Sequence, residues 1–308
     1  MDHKPTPFPV SVYSFPTTTS SSKTLQLYEH SSAASNTPNA LVFIGGLGDG
    51  PHTVPYPLAL SRSLLPQSTF SVYQVRLSSS FSAFGYSSLA QDASEIRALV
   101  RHLRAKFNKQ KVVLMGHSTG CQDCMYYCTK ITDLTEEERV DGIILQGPVS
   151  DREALGMSVD KGQLEKSIEV ARGMVIKGKK DHVIDLDEMP EGWRGSPMTA
   201  YRWLSLATKG GDDDFFSSDF SDAELEAIWG GLDTAVLILP SERDEWMPFA
   251  PAEAEGMIKR WAKFCKPGVA SEFSGLIPGA NHRVDNAESN PGGERWLVER
   301  VDRFLGTL

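Results

Sequence analysis

The residues with the clearest chemical potential form the sequence Gly116-His117-Ser118-Thr119-Gly120, which matches the pattern Gly-x-Ser-x-Gly. In that pattern a serine occupies a sharp turn between a strand and a helix, and side chains in place of the glycines would collide across the turn. The bare pattern is weak, because about 0.2 matches are expected by chance in a chain of this length and composition. Its context is stronger, since Lys111–Met115 has strand composition and Cys121–Thr129 has helical composition. We therefore predict Ser118 as a nucleophile, against the alternative of an inert serine in a glycine-rich turn.

His282 is the histidine best placed to act as the base that a serine nucleophile requires. A serine hydroxyl reacts poorly at neutral pH unless a general base lies within reach. Of the seven histidines, His282 follows the run Glu272–Ile277, predicted as the last strand, and precedes the last predicted helix. Its alternative is a loop histidine that caps that helix. His117 adjoins the serine, but consecutive side chains on a tight turn point apart, so we predict that it is packed, whereas His52 could reach the same pocket from the first loop.

An acidic residue must orient the imidazole and stabilise its charged form. The loop Pro240–Pro248 follows the apolar run Ala235–Leu239, and Asp244 stands four residues before the proline that ends the loop. We predict Asp244 as this acid. Glu242 and Glu245 in the same loop stay open as competitors, and an ordinary exposed acidic loop is the other alternative. The resulting chain order of serine, aspartate and histidine is that of the α/β hydrolases.

The fourth part of such a site is a pair of amide donors aimed at the oxygen that becomes negatively charged on the attacked carbonyl. We expect one donor to be the backbone N–H of Thr119 and the other that of Leu47, in the glycine-rich loop Gly45–Gly50. Glycines let that loop bring its backbone against a substrate, and we expect Gly46 and Asp49 to contact one. A dinucleotide-binding role is disfavoured, because the spacing Gly-x-Gly-x-x-Gly is not met.

The elements that must position these residues follow a regular pattern from Ala40 onward. Apolar runs of strand composition alternate with stretches of helical period, which is typical of a mostly parallel sheet with crossover helices. The predicted strands are Ala40–Ile44, Ser71–Arg76, Lys111–Met115, Gly142–Leu145, Ala235–Leu239 and Glu272–Ile277, with two leading strands around Pro9–Phe15 and Leu25–Glu29. The predicted helices are Val54–Leu65, Ser88–Phe107, Cys121–Thr129, Ala252–Phe264 and Glu294–Phe304. We therefore expect an α/β-hydrolase fold.

One long stretch interrupts this alternation and has no strand pattern of its own. We predict that residues 151–231 form a helical lid, inserted into an α/β core made of residues 1–150 and 232–308. The lid begins with a capping-box pattern, Ser150 with Glu153, and contains amphipathic segments around Leu164–Val175 and Thr199–Ala207.

The aromatic residues of this lid lie among acids such as Asp212, Asp213 and Asp214, which suggests a pocket for a large and partly polar molecule. They are Trp193, Tyr201, Trp203, Phe215, Phe216 and Trp229. Of these we expect Trp203 and Phe215, together with Trp246 outside the lid, to contact the substrate.

Composition bounds the class of protein and of partner. The chain has 308 residues, 40% hydrophobic and 23% charged, as in an ordinary globular protein with a sizeable core. A formal charge of -9 argues against a binder of nucleic acid or anionic membrane, because those surfaces require clustered lysine and arginine. Met1–Val10 is broken by three prolines and lacks the apolar stretch of a signal peptide, and apolar runs elsewhere are too short to span a bilayer. We expect a small-molecule partner, no nucleic acid and no membrane.

The cysteines favour a reducing compartment. Cys121, Cys124 and Cys128 recur at helical spacing, which indicates a buried helix face rather than a disulfide framework. Together with the absence of an Asn-x-Ser/Thr sequon, this predicts a cytoplasmic protein. A redox role for Cys121 and Cys124 stays open. No His/Cys cluster has zinc-ligand spacing, so we expect no metal and no cofactor.

Four separate motifs, in order along the chain, indicate a resemblance that is more specific than the general fold. They are the loop Phe43–Gly50, the elbow with Cys121-Gln122-Asp123, the lid phrase Gly210–Asp219 and the closing Ile277–His282. From about Leu41 to the C-terminus the chain resembles the DUF1749 family of α/β hydrolases. The best-understood fungal members of that family are cytosolic siderophore esterases, which cleave the ester bonds of fusarinine-type hydroxamate siderophores to release iron. The resemblance implies this activity, with iron arriving as part of the substrate.

The function predicted from the sequence is hydrolysis of a carboxylic ester through an acyl-enzyme on Ser118. A peptidase, a thioesterase or a lipase of the same fold stays open, because acyl transfer needs the same site whatever the leaving group. The alternative from another class is a non-catalytic protein that binds a ligand in the lidded pocket. Such proteins usually lose part of the triad, whereas this chain keeps all three members in order.

Overall fold

A single twisted sheet organises the protein. The computed structural model describes residues 7–17, 20–30, 37–64, 69–286 and 289–308. Within these ranges seven strands lie side by side in the order β1-β2-β4-β3-β5-β6-β7. They are β1 (Val10–Thr17), β2 (Ser20–His30), β3 (Asn39–Ile44), β4 (Phe70–Arg76), β5 (Lys111–His117), β6 (Gly142–Gln146) and β7 (Ala235–Leu239).

The sheet is antiparallel at one edge and parallel in its centre. β1 pairs with β2 and β2 with β4 in antiparallel fashion, whereas β4, β3, β5, β6 and β7 are joined by parallel ladders. Side chains of β5 alternate between two apolar layers: Val112 and Leu114 pack on one face, and Val113 and Met115 on the other. Burial on both faces explains why the central strands read as continuous apolar runs.

Helices cover both faces of the sheet. The helices of the described residues are α1 (Tyr56–Leu64), α2 (Leu89–Phe107), α3 (Gly120–Lys130), α4 (Asp151–Ser158), α5 (Lys161–Ile176), α6 (Ala200–Ala207), α7 (Asp222–Trp229), α8 (Pro251–Phe264) and α9 (Pro291–Leu305). α1 and α9 contribute Leu60 and Val301 to one apolar layer, and α2, α3 and α8 contribute Leu99, Tyr127 and Trp261 to the other. The mostly parallel sheet flanked by helices is thus confirmed, as are the two leading strands.

The predicted strand Glu272–Ile277 is wrong. This segment runs beside β7, with Gly275 N–H donating to Ile238 O and Ile277 N–H to Pro240 O, but it forms only isolated bridges among the described residues. A turn closed by Ser274 N–H and Ser271 O interrupts it, and Ser274 Oγ accepts the Ile238 N–H in place of a backbone carbonyl. Sequence alternation cannot reveal such a side-chain substitution in the ladder.

The predicted helices form with shifts of a few residues at their ends. The last residue of the predicted helix Val54–Leu65 lies outside the described residues, and the helix itself begins at Tyr56. Ser150 caps α4 by accepting the Glu153 N–H, as the capping-box pattern predicts. The Glu153 carboxylate does not complete the box, because it accepts hydrogen bonds from the amide and hydroxyl of Ser218 instead.

The segment between β6 and β7 divides by packing into two parts. Leu155 through Ala207, including Met198 and Trp203, form an apolar cluster of their own that rests on the side chains of Leu47 and Phe84. Phe216 and Trp229 instead pack into the main core beside α8. We call residues 155–207, which contain this separate cluster, the lid layer. None of the helices in the described ranges has the length and apolar character needed to cross a bilayer.

The three cysteines of α3 lie as their spacing predicts, on a helix face turned to the core. Cys121 and Cys124 are buried and all four cysteines of the chain are free thiols. Burial raises the pKa of both thiols well above the ordinary value. Because the thiolate is the reactive form, this burial argues against a redox role.

Candidate active site

Ser118 lies at the apex of a sharp turn between β5 and α3. Its φ of 54° is in the left-handed region, which costs a residue with a side chain on the order of 1 kcal/mol. Its amide donates to Gln146 O at 3.0 Å, which holds the turn against β6. A Cβ at Gly116 would lie 2.2 Å from Gly120 O, and one at Gly120 would lie 2.4 Å from Ile44 O. The predicted collision across the turn is confirmed for Gly116, whereas a side chain at Gly120 would collide with the end of β3. The strained backbone holds Ser118 at the carboxyl edge of the sheet.

His282 and Asp244 form a buried pair at the same edge. His282 Nδ1 lies 2.8 Å from Asp244 Oδ2, and the two side chains are 6% and 0% exposed. The second carboxylate oxygen of Asp244 accepts the amide N–H of Trp246 at 3.0 Å. A carboxylate that accepts from Nδ1 selects the tautomer in which Nε2 is free to take a proton.

The two other acids of this loop hold the chain around His282. Glu245 Oε2 accepts the backbone N–H of His282 at 2.9 Å, and Glu242 Oε2 accepts that of Gly279. Of the three acids, Asp244 is the one hydrogen-bonded to the imidazole.

Ser118 and His282 line the same cavity. Among the described residues no hydrogen bond joins the Ser118 hydroxyl to the imidazole. In unliganded sites the contact between nucleophile and base is often loose and tightens only when substrate is bound. The arrangement therefore places a serine hydroxyl and an oriented imidazole in the wall of one pocket.

Gln146, at the end of β6, connects the loops that carry these groups. Its fully buried side chain donates from Nε2 to Ser241 Oγ and to His282 O, both at 3.2 Å. Because Nε2 donates, Oε1 is the acceptor for His117 Nδ1, 2.6 Å away. One amide thus links the elbow, the loop of the acid and the loop of the base. Gln146 was not predicted as a site residue, because its only signal in the sequence is a polar side chain at the end of an apolar strand.

His117 is packed, as predicted. Its ring stacks on Phe43, meets Tyr56 edge-on and lies 4.9 Å from the ring of His282, measured between centroids. Burial, reinforced by His282, lowers the pKa of His117 to about 4. The residue is therefore neutral at physiological pH and adds no positive charge beside the imidazole of His282.

The predicted oxyanion loop lies directly against the elbow. A Cβ at Gly46 would come within 2.6 Å of Ser118 Cβ, so a residue with a side chain would push the loop away. Across the described part of the chain, the backbone amides of Leu47 and Thr119 have no acceptor within the protein. Two unpaired N–H donors beside a serine hydroxyl are what an oxyanion hole requires.

A cavity of about 960 Å³ opens above Ser118. Its floor includes Leu47, Asp49 and His117, and the loops of the acid and the base contribute Trp246 and Arg283. The lid layer contributes Leu155, Val159, Gln163, Trp193 and Leu206 to the wall. Asp49 and Trp246, predicted as substrate contacts, thus face the cavity, whereas Gly46 does not line it.

Trp203 and Phe215, predicted as substrate contacts, do not line this cavity either. Trp203 is 0% exposed inside the lid layer, where its Nε1 donates to Ser167 Oγ at 3.0 Å. Phe215 is 2% exposed and packs in the main core. Large aromatic side chains are usually buried where an apolar cluster is available. For Trp203 and Phe215 this preference outweighed the acidic residues near them in the sequence, which had suggested contact with substrate. Trp193, which meets Trp203 edge-on, is the aromatic residue of the lid layer that faces the cavity.

His52 does not reach the cavity either. Its ring lies among Phe8, Tyr28 and His30, and its Nδ1 is 3.1 Å from Gln74 Nε2. Burial lowers the pKa of His52, and that of His30 to about 4. The first loop turns His52 toward the antiparallel edge of the sheet, away from Ser118.

A group of buried acids surrounds Arg202 behind the elbow. Arg202 binds Asp213 Oδ2 at 2.5 Å and Phe84 O at 3.2 Å. Burial raises the pKa of Asp92 to about 7 and the pKa of Asp123 well above its ordinary value. The described residues contain no set of three His, Cys, Asp or Glu side chains arranged to hold a metal ion.

The sheet topology and the elbow define the fold of the α/β hydrolases. A solved structure titled "Alpha/Beta hydrolase fold protein of unknown function" matches with a TM-score of 0.68 at 14% identity, covering 98% of this chain and 99% of that chain. The chain belongs to the DUF1749 family, whose model, described as "Protein of unknown function (DUF1749)", matches residues 4–306. The resemblance seen in the sequence is confirmed.

Two of three further similar proteins are named for hydrolysis. The "UPF0613 protein PB24D3.06c" of Schizosaccharomyces pombe is 33% identical, with 86% of each chain covered. The "Fusarinine C esterase sidJ" of Aspergillus fumigatus is 28% identical, with 93% of this chain and 94% of the relative covered. The solved structure "Siderophore hydrolase EstB from Aspergillus fumigatus" matches with a TM-score of 0.79 at 27% identity and 98% coverage of both chains.

Proposed function

We propose that the protein is a serine esterase that hydrolyses carboxylic esters through an acyl-enzyme. The observation that carries the proposal is the buried hydrogen bond between Asp244 and His282, whose imidazole lines the same cavity as Ser118. The names of two relatives, an esterase and a siderophore hydrolase, support the same reaction class.

In the proposed mechanism the Ser118 hydroxyl attacks the ester carbonyl while His282 Nε2 takes its proton. The C–O bond to the alcohol then breaks, and His282 returns the proton to the leaving alkoxide. Water repeats the sequence on the acyl-enzyme and releases the acid, so each turnover consumes one water and leaves the enzyme unchanged. Asp244 holds the imidazole and stabilises its protonated form.

The amides of Leu47 and Thr119 would stabilise the negative oxygen of each tetrahedral intermediate. The support is their lack of any acceptor within the described protein and the close packing of the Gly46 loop on the elbow. Removing one such donor typically costs 10²–10³-fold in rate in other enzymes.

The proposed substrate is an ester of a fusarinine-type hydroxamate siderophore, hydrolysed in the cytoplasm to release its iron. The proposal draws on the relative named fusarinine C esterase and on a cavity of about 960 Å³ with both polar and apolar walls. Iron enters as part of the substrate, so the reaction requires no resident metal.

Incubation of the purified protein with fusarinine C or its triacetylated form, followed by mass spectrometry, tests the substrate. We expect products whose mass exceeds that of the substrate by one water for each ester cleaved. In Ser118→Ala, turnover should fall by several orders of magnitude while the circular dichroism spectrum stays unchanged. Intact siderophore beside rapid cleavage of simple acyl esters would reduce the proposal to a general esterase. Wild-type turnover by Ser118→Ala would overturn the mechanism.

A further inference from the structure

Asp49 is enclosed by partners from two loops. Although it faces the cavity, it is 7% exposed. Its Oδ2 accepts the amide of Gly46 at 3.2 Å, and its Oδ1 accepts the hydroxyl of Thr53 at 2.8 Å. Both contacts lie within the loop that presents Leu47. The carboxylate thus shapes this loop from inside.

Arg283 brings the other loop to the same carboxylate. It follows His282 directly in sequence, and its guanidinium donates to Asp49 Oδ1 at 3.0 Å and to Thr53 O. The side chain is 35% exposed at the cavity wall. Two segments more than two hundred positions apart in the chain are therefore joined beside Ser118.

We infer that the ion pair between Asp49 and Arg283 is a positioning device that holds the loop of Leu47 in register with the loop of His282. The inference rests on the proposed function, since it assigns the pair to the alignment of the oxyanion donor and the base. Neither residue takes part in bond making. Both donor and base must be in place in the same transition state, and a misplacement of about 1 Å in an active site can cost on the order of 10²-fold in rate.

The test compares kcat, KM and the thermal midpoint of Arg283→Met, Asp49→Asn and the double variant on a simple acyl ester. Arg260→Met is the matched control: Arg260 is 31% exposed and also binds one carboxylate, of Asp222, and a carbonyl, of Phe220, but it lies outside the cavity. We expect Arg283→Met to lower kcat by about 10- to 100-fold with KM within about threefold, while its thermal midpoint shifts no more than that of Arg260→Met.

The pairing itself is tested by non-additivity and by rescue. The kcat of the double variant should lie within about threefold of the kcat of the slower single variant, because either change alone breaks the same contact. Arg283→Lys, which can still pair with Asp49, should recover part of kcat. If Arg283→Met does not fold, Arg283→Gln carries the test with the same threshold.

Three outcomes would overturn the inference. The first is a kcat within twofold of wild type in Arg283→Met, or in Arg283→Gln where that variant replaces it. The second is a rise in KM with kcat unchanged, which indicates a direct contact to substrate, and the third is multiplicative effects on kcat in the double variant. An inert wild-type protein that fails to react with a serine-directed fluorophosphonate would instead remove the proposed function. The two failures are thus distinguishable.

Discussion

The carboxyl edge of the sheet and the lid layer differ in how their cavity-facing residues are held. At the edge, Ser118, Asp244 and His282 come from strand ends and short loops, and Gln146 connects those loops through one buried amide. In the lid layer, Trp193 and Leu206 belong to a separate apolar cluster that rests on Leu47 and Phe84. The edge is thus tied into the main core, whereas the cavity-facing side chains of the lid layer belong to a cluster of their own.

This contrast separates chemistry from selectivity. Reactive groups need fixed geometry, and rigid strand ends supply it. Selection of a substrate needs only a wall of suitable shape, so it can reside in a layer with its own core. Changes at the edge should therefore reduce the rate for every substrate, and changes in the lid layer should reduce it for large substrates alone.

The largest effect should come from the edge, with Asp244→Asn. Loss of the carboxylate leaves the imidazole in the wrong tautomer and its charged form unsupported, so kcat on a simple acyl ester should fall on the order of 10³- to 10⁴-fold. Glu242→Gln, which keeps its acceptor for Gly279, should stay within about threefold of wild type in the same steady-state assay. A larger loss in Glu242→Gln or Glu245→Gln than in Asp244→Asn would assign the acid differently.

An intermediate effect should come from the lid layer, with Trp193→Ala. Removing this ring from the cavity wall should raise KM for a siderophore-sized ester about tenfold, or about 1.4 kcal/mol, while kcat/KM for an acetyl ester stays within twofold. Leu186→Ala, exposed in the same layer and absent from the cavity wall, is the control. Equal losses on the large and the small ester would break the proposed separation.

The smallest effect should be on stability, with Asp92→Asn behind the elbow. Burial raises the pKa of Asp92 from 3.8 to about 7. The preference of the folded state for the protonated carboxyl therefore contributes fully to stability below pH 3.8, and this contribution is lost as the pH rises through 7. Asparagine mimics the protonated form and can still accept from Ser87 Oγ. The variant should therefore melt a few degrees above wild type at pH 8, and the difference should narrow at pH 5.

Thermal unfolding at the two pH values checks this prediction, with Asp302→Asn on the exposed face of α9 as the control. A wild-type midpoint that rises relative to Asp92→Asn between pH 5 and pH 8 would contradict it.

Most of the edge could be predicted from the sequence because its constraints are local. Three features each leave a signal within a few residues. They are a glycine pattern that permits a strained turn, apolar runs that are buried on both faces, and a histidine shortly after the segment that runs beside β7. The strands from Ala40 to Leu239 were confirmed for that reason, although Glu272–Ile277 was wrong because a serine side chain replaces part of its ladder.

The lid layer could not be predicted to the same depth. Which aromatic ring faces the cavity depends on how short helices pack together, and Trp203 and Trp193 look alike in the sequence although one is buried and the other lines the wall. The pairing of Asp49 with Arg283 was missed for a related reason, since contacts between distant loops leave no periodic signal.

Every step proposed for this site depends on the activation of Ser118 by His282 at the carboxyl edge of the sheet. Labelling with a fluorophosphonate probe, followed by peptide mass spectrometry, tests it most directly. We expect one phosphonylated residue, Ser118, in the wild-type protein and a loss of labelling in His282→Ala. An unlabelled wild type, a label on another serine, or equally fast labelling of His282→Ala would contradict it.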